Sequence, residues 1–575
     1  MNNRQIVDMF DKVADMLAIR GDNFHRVLAY RKASETISGL SQPVADIAAA
    51  GELTDLPNIG KTLAEKIDEM LETGDLAFYH RVAEDVPPEL VDMLRVEGMG
   101  PKKVKLVYDQ LGIITLEELE EAARNQKLQQ LPGMGKKSEE KILANLEILK
   151  QHGDDRFALG DAWPLAQQIL AELETLPGVT QTAVGGSLRR MRETIGDIDL
   201  LVCASAEFAP AIMDHFVNLS LVESVSGHGP TKSRVNLLNG IGVDLRVLPA
   251  ENWGTLLSYF TGSKAHNVKL RELARQRGLS LNEYDFTRDA GGDPILCATE
   301  EDVYTTLDLP YIAPTLREDR GEIEAAKEGR LPELIQQSDI VSDLHMHSTW
   351  SDGKASILEM AQAAQARGLQ YIVISDHSRS LGIANGLSIE RLMEQAEEVK
   401  SADKAMGEDF RVLQGTEMEI KADGTLDFPD EVLAELDFVI ASLHVGLSQS
   451  REQVMKRAFA AFDNPHVDML AHPTGRLIPD RPGADLDMER VFMAALSTRT
   501  ILEINANPRR LDLNDANARR AAQLGVKIAI NCDAHTPEHF EFLHYGIATA
   551  QRAWLTPRNI VNTWPVEKLL RFINL

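Results

Sequence analysis

Along the first 150 positions apolar residues recur at helical spacing, interrupted by short glycine turns. From about 155 to 315 the pattern is mixed, and the strand-like runs QTAVGG, DIDLLVC and GIGVDLRVL alternate with helical stretches. A charged connector follows, with REDRGEIEAAKEGRLP lying between Pro314 and its closing Pro332. Beyond it the apolar runs YIVIS, FVIAS, MLAH, ILEIN and KIAIN repeat with helical segments between them. Repeated strand and helix predicts an α/β layer or barrel, whose functional loops gather at the carboxyl ends of the strands. The order is therefore all-α, then α+β, then α/β.

Length supports several domains, because 575 residues exceed what one core holds together and three or four are expected. The three cysteines, Cys203, Cys297 and Cys532, have no CxxC spacing, which predicts neither a disulfide framework nor a thiolate zinc site. The start, MNNRQIVDMF, lacks the long apolar run of an export or membrane segment, so a cytoplasmic, nucleoid-associated protein without a membrane partner is expected. A formal charge of −28 argues against attraction of nucleic acid to the whole surface. Basic residues nevertheless cluster in PKKVK (101–105), GKKSEEK (135–141) and KLRELARQR (269–277), leaving room for a local binding face.

Two of these clusters lie in a repeat. LPNIGKTLAEKI (56–67), VEGMGPKKVKLV (96–107) and LPGMGKKSEEKI (131–142) each carry an apolar residue, then G-x-G or N-x-G, then a polar helix opening. Such helix-hairpin-helix turns direct backbone N–H groups and a helix N-terminus to one side, which suits a phosphate. Gly60, Gly98, Gly100, Gly133 and Gly135 are the candidate DNA-backbone contacts.

In VGGSLRRMRETIGDIDLLV (184–202), Asp197 and Asp199 are two apart in a strand-like run, so alternation sends both to one face. Paired carboxylates repel unless a cation lies between them, and magnesium shared with phosphates is the usual solution. Asp244, in GVDLRVL, is placed to supply a third acid for a two-ion clamp. Gly186 and Ser187 suit the terminal phosphates of a nucleotide, and Arg190 would add charge-assisted donors. Arg189 stands as either a structural or a ligand-binding residue.

This stretch resembles the catalytic module of the family X DNA polymerases, and the similarity continues in order through GPTKSRVNL, VDLRV, YFTGSKAHNVKLRELARQRG and LNEY. The resemblance implies an α+β, polymerase-beta-like nucleotidyltransferase with magnesium or manganese on Asp197, Asp199 and Asp244. It implies nucleotide contacts from Tyr259, Phe260 and Asn267, and DNA contacts from Lys232 and Arg271. The amino-terminal DNFHRVLAYRKA and LPNIGKTLAEKID are similar to the same family's small DNA-binding domain, implying a 5′-phosphate held by His25, Arg26, Tyr30 and Lys66. Lys66 also matches the Schiff-base lysine of the lyase members, but Thr62 and Arg26 depart from that pattern, so phosphate binding and lyase chemistry both stay open.

The last region begins with DLHMHSTWSDG, and an H-x-H in extended backbone points both imidazoles one way. Metal-capable residues recur at the ends of apolar runs: His345, His347, Asp352, His377, Glu417, His444, His472, Asp533 and His535. Nine ligands exceed one zinc ion but suffice for two or three ions with bridging carboxylates, and mixed imidazole and carboxylate favours zinc, manganese or iron. The set, over roughly 338–560, resembles the polymerase and histidinol phosphatase (PHP) family, which implies a distorted TIM-like barrel hydrolysing phosphoesters. Glu417 is expected as the bridging carboxylate with Glu419 as its competitor, and Asp376 as a ligand or an orienting group. Arg379 or Arg509 is the expected phosphate contact.

The order of modules resembles the bacterial and archaeal repair polymerases of family X. We expect a helical DNA-binding domain at 1–85, a fingers-like region at 86–152, the nucleotidyltransferase at 153–315, a connector at 316–337 and the PHP domain at 338–575. The implied function is filling of short gaps from deoxynucleoside triphosphates on gapped or nicked duplex bearing a 5′-phosphate, by a monomer with 3′–5′ exonuclease activity. Abasic-site cleavage and 3′-phosphatase activity remain open. The alternatives are a PHP nuclease or phosphatase with an inactive polymerase module that positions DNA, and a non-catalytic DNA-end scaffold.

Overall fold

The computed structural model describes all residues except 2, 39, 41, 97, 153–155 and 575. The chain divides into two compact units, Met1–Asp155 and Arg156–Leu575.

The first unit is helical. Each of the three sequence repeats opens a helix where expected: Lys61–Thr73, Pro101–Leu111 and Lys136–His152. The reason is local. Asn58, Gly98 and Gly133 hold φ of 62°, 93° and 76°, the left-handed region that glycine and asparagine tolerate best. Between each such residue and the next glycine an apolar side chain, Ile59, Met99 or Met134, is buried, so the turn faces its glycines outward.

The second unit begins with a five-stranded sheet: β1 (Gln181–Val184), β2 (Asp197–Cys203), β3 (Val222–His228), β4 (Lys232–Leu237) and β5 (Gly242–Leu248). Their order is β1-β2-β5-β4-β3, with β2 and β5 parallel at the centre. Then come seven parallel strands in sequential order, β6 (Ser342–Asp343), β7 (Tyr371–Ile374), β8 (Arg411–Glu419), β9 (Phe438–Ser442), β10 (Met469–Leu470), β11 (Ile501–Asn505) and β12 (Ile528–Asn531). A parallel bridge between Met346 and Ala534 brings the last strand against the first and nearly closes the barrel.

These strands are buried on both faces, which is why they read as apolar runs rather than as alternation. Tyr371 and Val373 fill the barrel interior, while Ile372 and Ile374 face the surrounding helices. Trp564 and Leu569, from the carboxyl-terminal segment, join the interior cluster. Ile478, Leu511 and Tyr545 reach out of the barrel region into the core of the five-stranded sheet, so the two modules share apolar packing.

The charged connector is a packed one. Arg317 is fully buried, pairs with Glu300 at 2.5 Å and donates to the Ile312 carbonyl, while Glu322 meets His266 at 2.7 Å. Among the described residues no helix is long and apolar enough to cross a membrane.

Candidate active sites

In the five-stranded sheet, register assembles the acids. Asp199 lies opposite Asp244 across β2 and β5, and Asp197 shares the face of Asp199. Burial, then the charges of Asp197 and Asp244, push the Asp199 carboxyl up to about 7. Arg234 sits opposite Asp244 on β4; its guanidinium bonds Asp244 and lies 3.4 Å from Asp197. Lys232 Nζ is 3.8 Å from Asp244. Sequence reading missed Arg234, although a cation two residues beyond Lys232 on a neighbouring strand was its only signal. The three acids and their cationic neighbour fit a site for divalent ions, since a side chain of opposite charge already occupies the space between Asp197 and Asp244.

Gly186 holds φ 58°, and a Cβ there would collide with the Asp199 carboxylate, so both backbone and contact require glycine. Ser187 follows in the short helix Gly186–Arg189. Arg190 donates to the Thr261 carbonyl at 2.7 Å and lies 3.1 Å from Glu318, which ties it to the connector. Arg189 is structural: it bonds Thr261 Oγ1 at 2.6 Å and buried Glu300 at 2.7 Å. Asn267 donates to the Tyr259 carbonyl at 2.7 Å, and Arg246 stacks 4.3 Å from the Phe260 ring. Tyr259, Asn267 and Arg271 line one cavity with Leu281.

In the helical unit three of the four expected 5′-phosphate residues, Arg26, Tyr30 and Lys66, meet around one ring. Lys66, Arg26 and Arg81 stand 4.6, 5.0 and 5.5 Å from the centre of Phe78, and Tyr30 stacks on the same ring at 5.8 Å. Burial lowers the Lys66 pKa, with Arg81 and Arg26 adding to the effect. His25 is exposed beside Phe24. Phe78 and Arg81 were not legible, because FYHR sits on the short helix Ala77–Ala83 with no motif around it.

The barrel gathers all nine expected ligands at the carboxyl ends of its strands. They fall into overlapping groups whose ligand atoms lie within 4.8 Å of one another: His347, Asp352, His377 and His535; His345, Glu417 and His472; His345, His347 and Asp533; His377, Glu417 and His444. Glu417 belongs to two groups and Glu419 to none, so only the first has its carboxylate among the other metal-capable atoms. Glu419 instead accepts from His444 Nδ1 at 2.8 Å and from the His444 backbone N–H, which orients that ring. Asp376 accepts from Ser348 Oγ at 2.6 Å and Gln395 Nε2 at 2.5 Å, so it braces the H-x-H loop.

His345 Nε2, His347 Nδ1 and His472 Nδ1 are buried without a hydrogen-bond partner, and His377 Nδ1 and Glu417 Oε2, which form no aligned hydrogen bond, face each other at 2.8 Å. Leaving such groups unpaired costs roughly 1–3 kcal/mol each, and cations of the expected kind would satisfy those that converge on the centre. Burial, with His377 and His535 beside it, holds His347 down to about 3, so the ring is neutral, the form able to bind a metal.

Sequence reading missed Glu503 and Asn505. Glu503 accepts from His345 Nδ1 at 2.8 Å and from the His472 backbone at 2.8 Å, turning the first ring's Nε2 toward the centre. Their signal was present as polar residues inside ILEIN, a run otherwise apolar and wholly buried. Of the two expected phosphate contacts, Arg509 is exposed and paired with Asp480, and Arg379 stands 3.5 Å from Asp427. Arg510 faces the centre instead, its Nε 3.5 Å from Asp533.

Family models match along the chain: a helix-hairpin-helix domain at 1–76, a SAM-like helix-hairpin-helix tandem at 90–147, a DNA polymerase beta thumb at 256–318 and a PHP domain at 343–478. The chain is 38% identical over 576 residues to the DNA polymerase/3′-5′ exonuclease PolX of Bacillus subtilis (strain 168), covering 100% of this chain and 99% of that protein. It is 27% identical over 346 residues to DNA polymerase lambda of Rattus norvegicus, covering 55% and 56%. It is 31% identical over 237 residues to a probable phosphatase of Thermoanaerobacter sp. (strain X514), covering 39% and 91%. With two sets of metal-capable residues, one on a nucleotidyltransferase sheet and one in a PHP barrel, and with this full-length similarity, the chain belongs to the PolX family of DNA polymerases, family X enzymes that carry a PHP domain.

Proposed function

We propose that the protein is a DNA-directed repair polymerase that fills short gaps and carries a separate, metal-dependent 3′–5′ exonuclease in its barrel. The carrying observation is the coexistence of the Asp197, Asp199 and Asp244 cluster with the nine-residue centre in one chain. Within this reading the modules keep the boundaries 1–85, 86–152, 153–315, 316–337 and 338–575, and the division of the chain after Asp155 supports the break near 152.

In extension, Asp197, Asp199 and Asp244 would hold magnesium or manganese. Gly186 and Ser187 bring backbone and hydroxyl donors to the phosphates, and Arg190 stands behind them on a tether to Glu318. Tyr259, Phe260 and Asn267 shape the sugar and base side, with Lys232 and Arg271 toward DNA. In the helical unit, Gly60, Gly98, Gly100, Gly133 and Gly135 present backbone to DNA phosphates without reading bases, which suits damage at any sequence. His25, Arg26, Tyr30 and Lys66 hold the 5′-phosphate of the gap.

In the barrel, His345, His347, Asp352, His377, Glu417, His444, His472, Asp533 and His535 would hold two or three manganese, zinc or iron ions. Bound divalent ions would supply an activated water for hydrolysis in the barrel, would lower the pKa of the primer 3′-hydroxyl at the sheet, and would neutralise charge on phosphorus at each. The chain's own contribution is orientation: Glu503 fixes His345, Glu419 fixes His444 and Asp376 braces the loop between them.

The test is a gapped duplex with a 5′-phosphate, incubated with manganese and scored for extension and 3′ shortening in wild type, Asp199→Ala and His345→Ala. Loss of extension alone in the first variant and of shortening alone in the second is expected. Shortening without extension in the wild type would instead favour an inactive polymerase module, and neither activity would favour a DNA-end scaffold.

A further inference from the structure

Arg510 lies on the strap 506–512, which leaves the carboxyl end of β11 and skirts the metal-capable centre. Its side chain is only 17% exposed, and its Nε stands 3.5 Å from Asp533. A second guanidinium, that of Arg481, comes from the turn after His472. Arg481 donates through Nε and NH2 to the Gly475 carbonyl, at 3.2 and 2.7 Å, and burial, then the charge of Arg510, lowers its pKa. The Gly475 N–H in turn donates to the His472 carbonyl at 2.8 Å, which ties the Arg481 turn to the centre as Asp533 ties Arg510, and two like charges so placed suit an anion.

Both carriers are fixed from behind. Arg476 donates to the Arg510 carbonyl at 2.8 Å and reaches Glu193 of the polymerase module at 2.8 Å. Leu511 is buried in that module's core, and a Cβ on Gly160 would collide with Pro508. Asp512 accepts from the Thr474 and Gly475 backbone N–H groups, each at 2.9 Å, which locks the strap to the turn leading to Arg481. None of these bonds uses the Arg510 guanidinium.

We propose that Arg510 and Arg481 form the phosphate-holding subsite of the barrel, taking the non-bridging oxygens of the phosphate group that is hydrolysed. This rests on the exonuclease reading above. In excision the water oxygen bonds to phosphorus, the P–O3′ bond breaks, and the 3′-oxygen of the shortened strand leaves and takes a proton. The guanidiniums hold the oxyanion and transfer no proton. A phosphodiester at a 3′-hydroxyl end and a 3′-phosphate monoester present the same oxygens.

The experiment compares full-length wild type, Arg510→Gln, Arg510→Lys and Arg481→Gln with manganese, on primers ending in 3′-hydroxyl and in 3′-phosphate. Metal bound per chain, primer extension and inhibition of shortening by inorganic phosphate are measured on the same preparations. Loss of a transition-state donor of this kind costs on the order of 10²-fold in kcat. We expect at least a tenfold fall in kcat/KM for shortening in Arg510→Gln, partial recovery in Arg510→Lys, and at least tenfold weaker inhibition by phosphate, with metal content and extension unchanged. A deficit on the 3′-hydroxyl primer assigns the subsite to the diester, and one confined to the 3′-phosphate primer assigns it to the monoester. Unchanged shortening and unchanged phosphate inhibition would overturn the proposal, as would metal loss parallel to activity loss, which would make Arg510 a holder of Asp533. Failure of the wild type to shorten either primer would defeat the exonuclease reading itself.

Discussion

Arg552 makes the junction between the polymerase and barrel modules a quantitative test of buried charge. Its side chain is 5% exposed and donates through NH1 to the Arg190 carbonyl and Glu318, and through NH2 to Asp515, each at 2.8 Å. Arg552→Met keeps apolar volume and removes the charge. Breaking a buried pair by removing one partner costs roughly 3–5 kcal/mol. Here each carboxylate keeps another cation, Arg190 at 3.1 Å from Glu318 and Arg320 at 2.9 Å from Asp515, so the low end, about 3 kcal/mol, is expected. Unfolding entropy near 2.1 cal/mol/K per residue makes that a fall in Tm of about 3–4 °C for a unit the size of Arg156–Leu575.

The pH dependence has a definite sign. Burial opposes ionisation of Glu318, but Arg552 and Arg190 outweigh it and hold the carboxyl at about 2 against an ordinary 4.5. Its contribution is therefore complete above pH 4.5 and lost as pH falls toward 2. Calorimetry of both proteins at pH 7 and at steps down to pH 3 should show the full difference at neutrality and a narrowing gap below pH 4.5. Because Arg552 also holds the Arg190 carbonyl, KM for the nucleotide should rise in the variant. A difference under about 0.5 kcal/mol at pH 7, the usual range for innocuous surface changes, would refute the assignment of the junction to this pair.

Glu417→Gln should remove most metal from the barrel as read by elemental analysis, whereas Glu419→Gln should retain metal and lower only shortening, since it orients His444 without joining a ligand group. Asp468, pushed up to about 7 by burial although the Val439 N–H donates to it, is more easily protonated in the fold than in the unfolded chain, so its own contribution to stability falls as pH rises from about 4 through 7. Asp468→Asn should consequently be more stable than wild type at pH 8.5, by about 2–4 kcal/mol, with the gap closing at pH 5 in denaturant titrations. Arg81→Ala should weaken binding to gaps with a 5′-phosphate and leave binding to unphosphorylated gaps nearly unchanged, a difference that fluorescence anisotropy reads directly.

Much of the catalytic outline was legible because it depends on backbone periodicity. Two-residue spacing puts Asp197 and Asp199 on one face of a strand, the G-x-G and N-x-G turns announce the three helices they open, and polar residues ending apolar runs mark the open end of a barrel. These features are local, and any strand or turn formed there carries them. Partner choice is different, because it follows from register and packing between distant segments. Glu417 and Glu419 share a strand and a face, and only the positions of His345, His472 and His444 around them separate the carboxylate that joins the metal-capable groups from the one that orients a ring. Arg509 and Arg510 are adjacent in NPRR, yet the clamp from Arg476 turns one toward Asp480 and solvent and the other toward Asp533. The connector likewise reads only as a charged run, and folding brings Glu300 and His266 close enough to bury Arg317 and Glu322. Residue type and spacing by themselves determined which side chains could do chemistry; the tertiary structure decided which of them meet, because a charge is buried only where a distant segment supplies its counterpart.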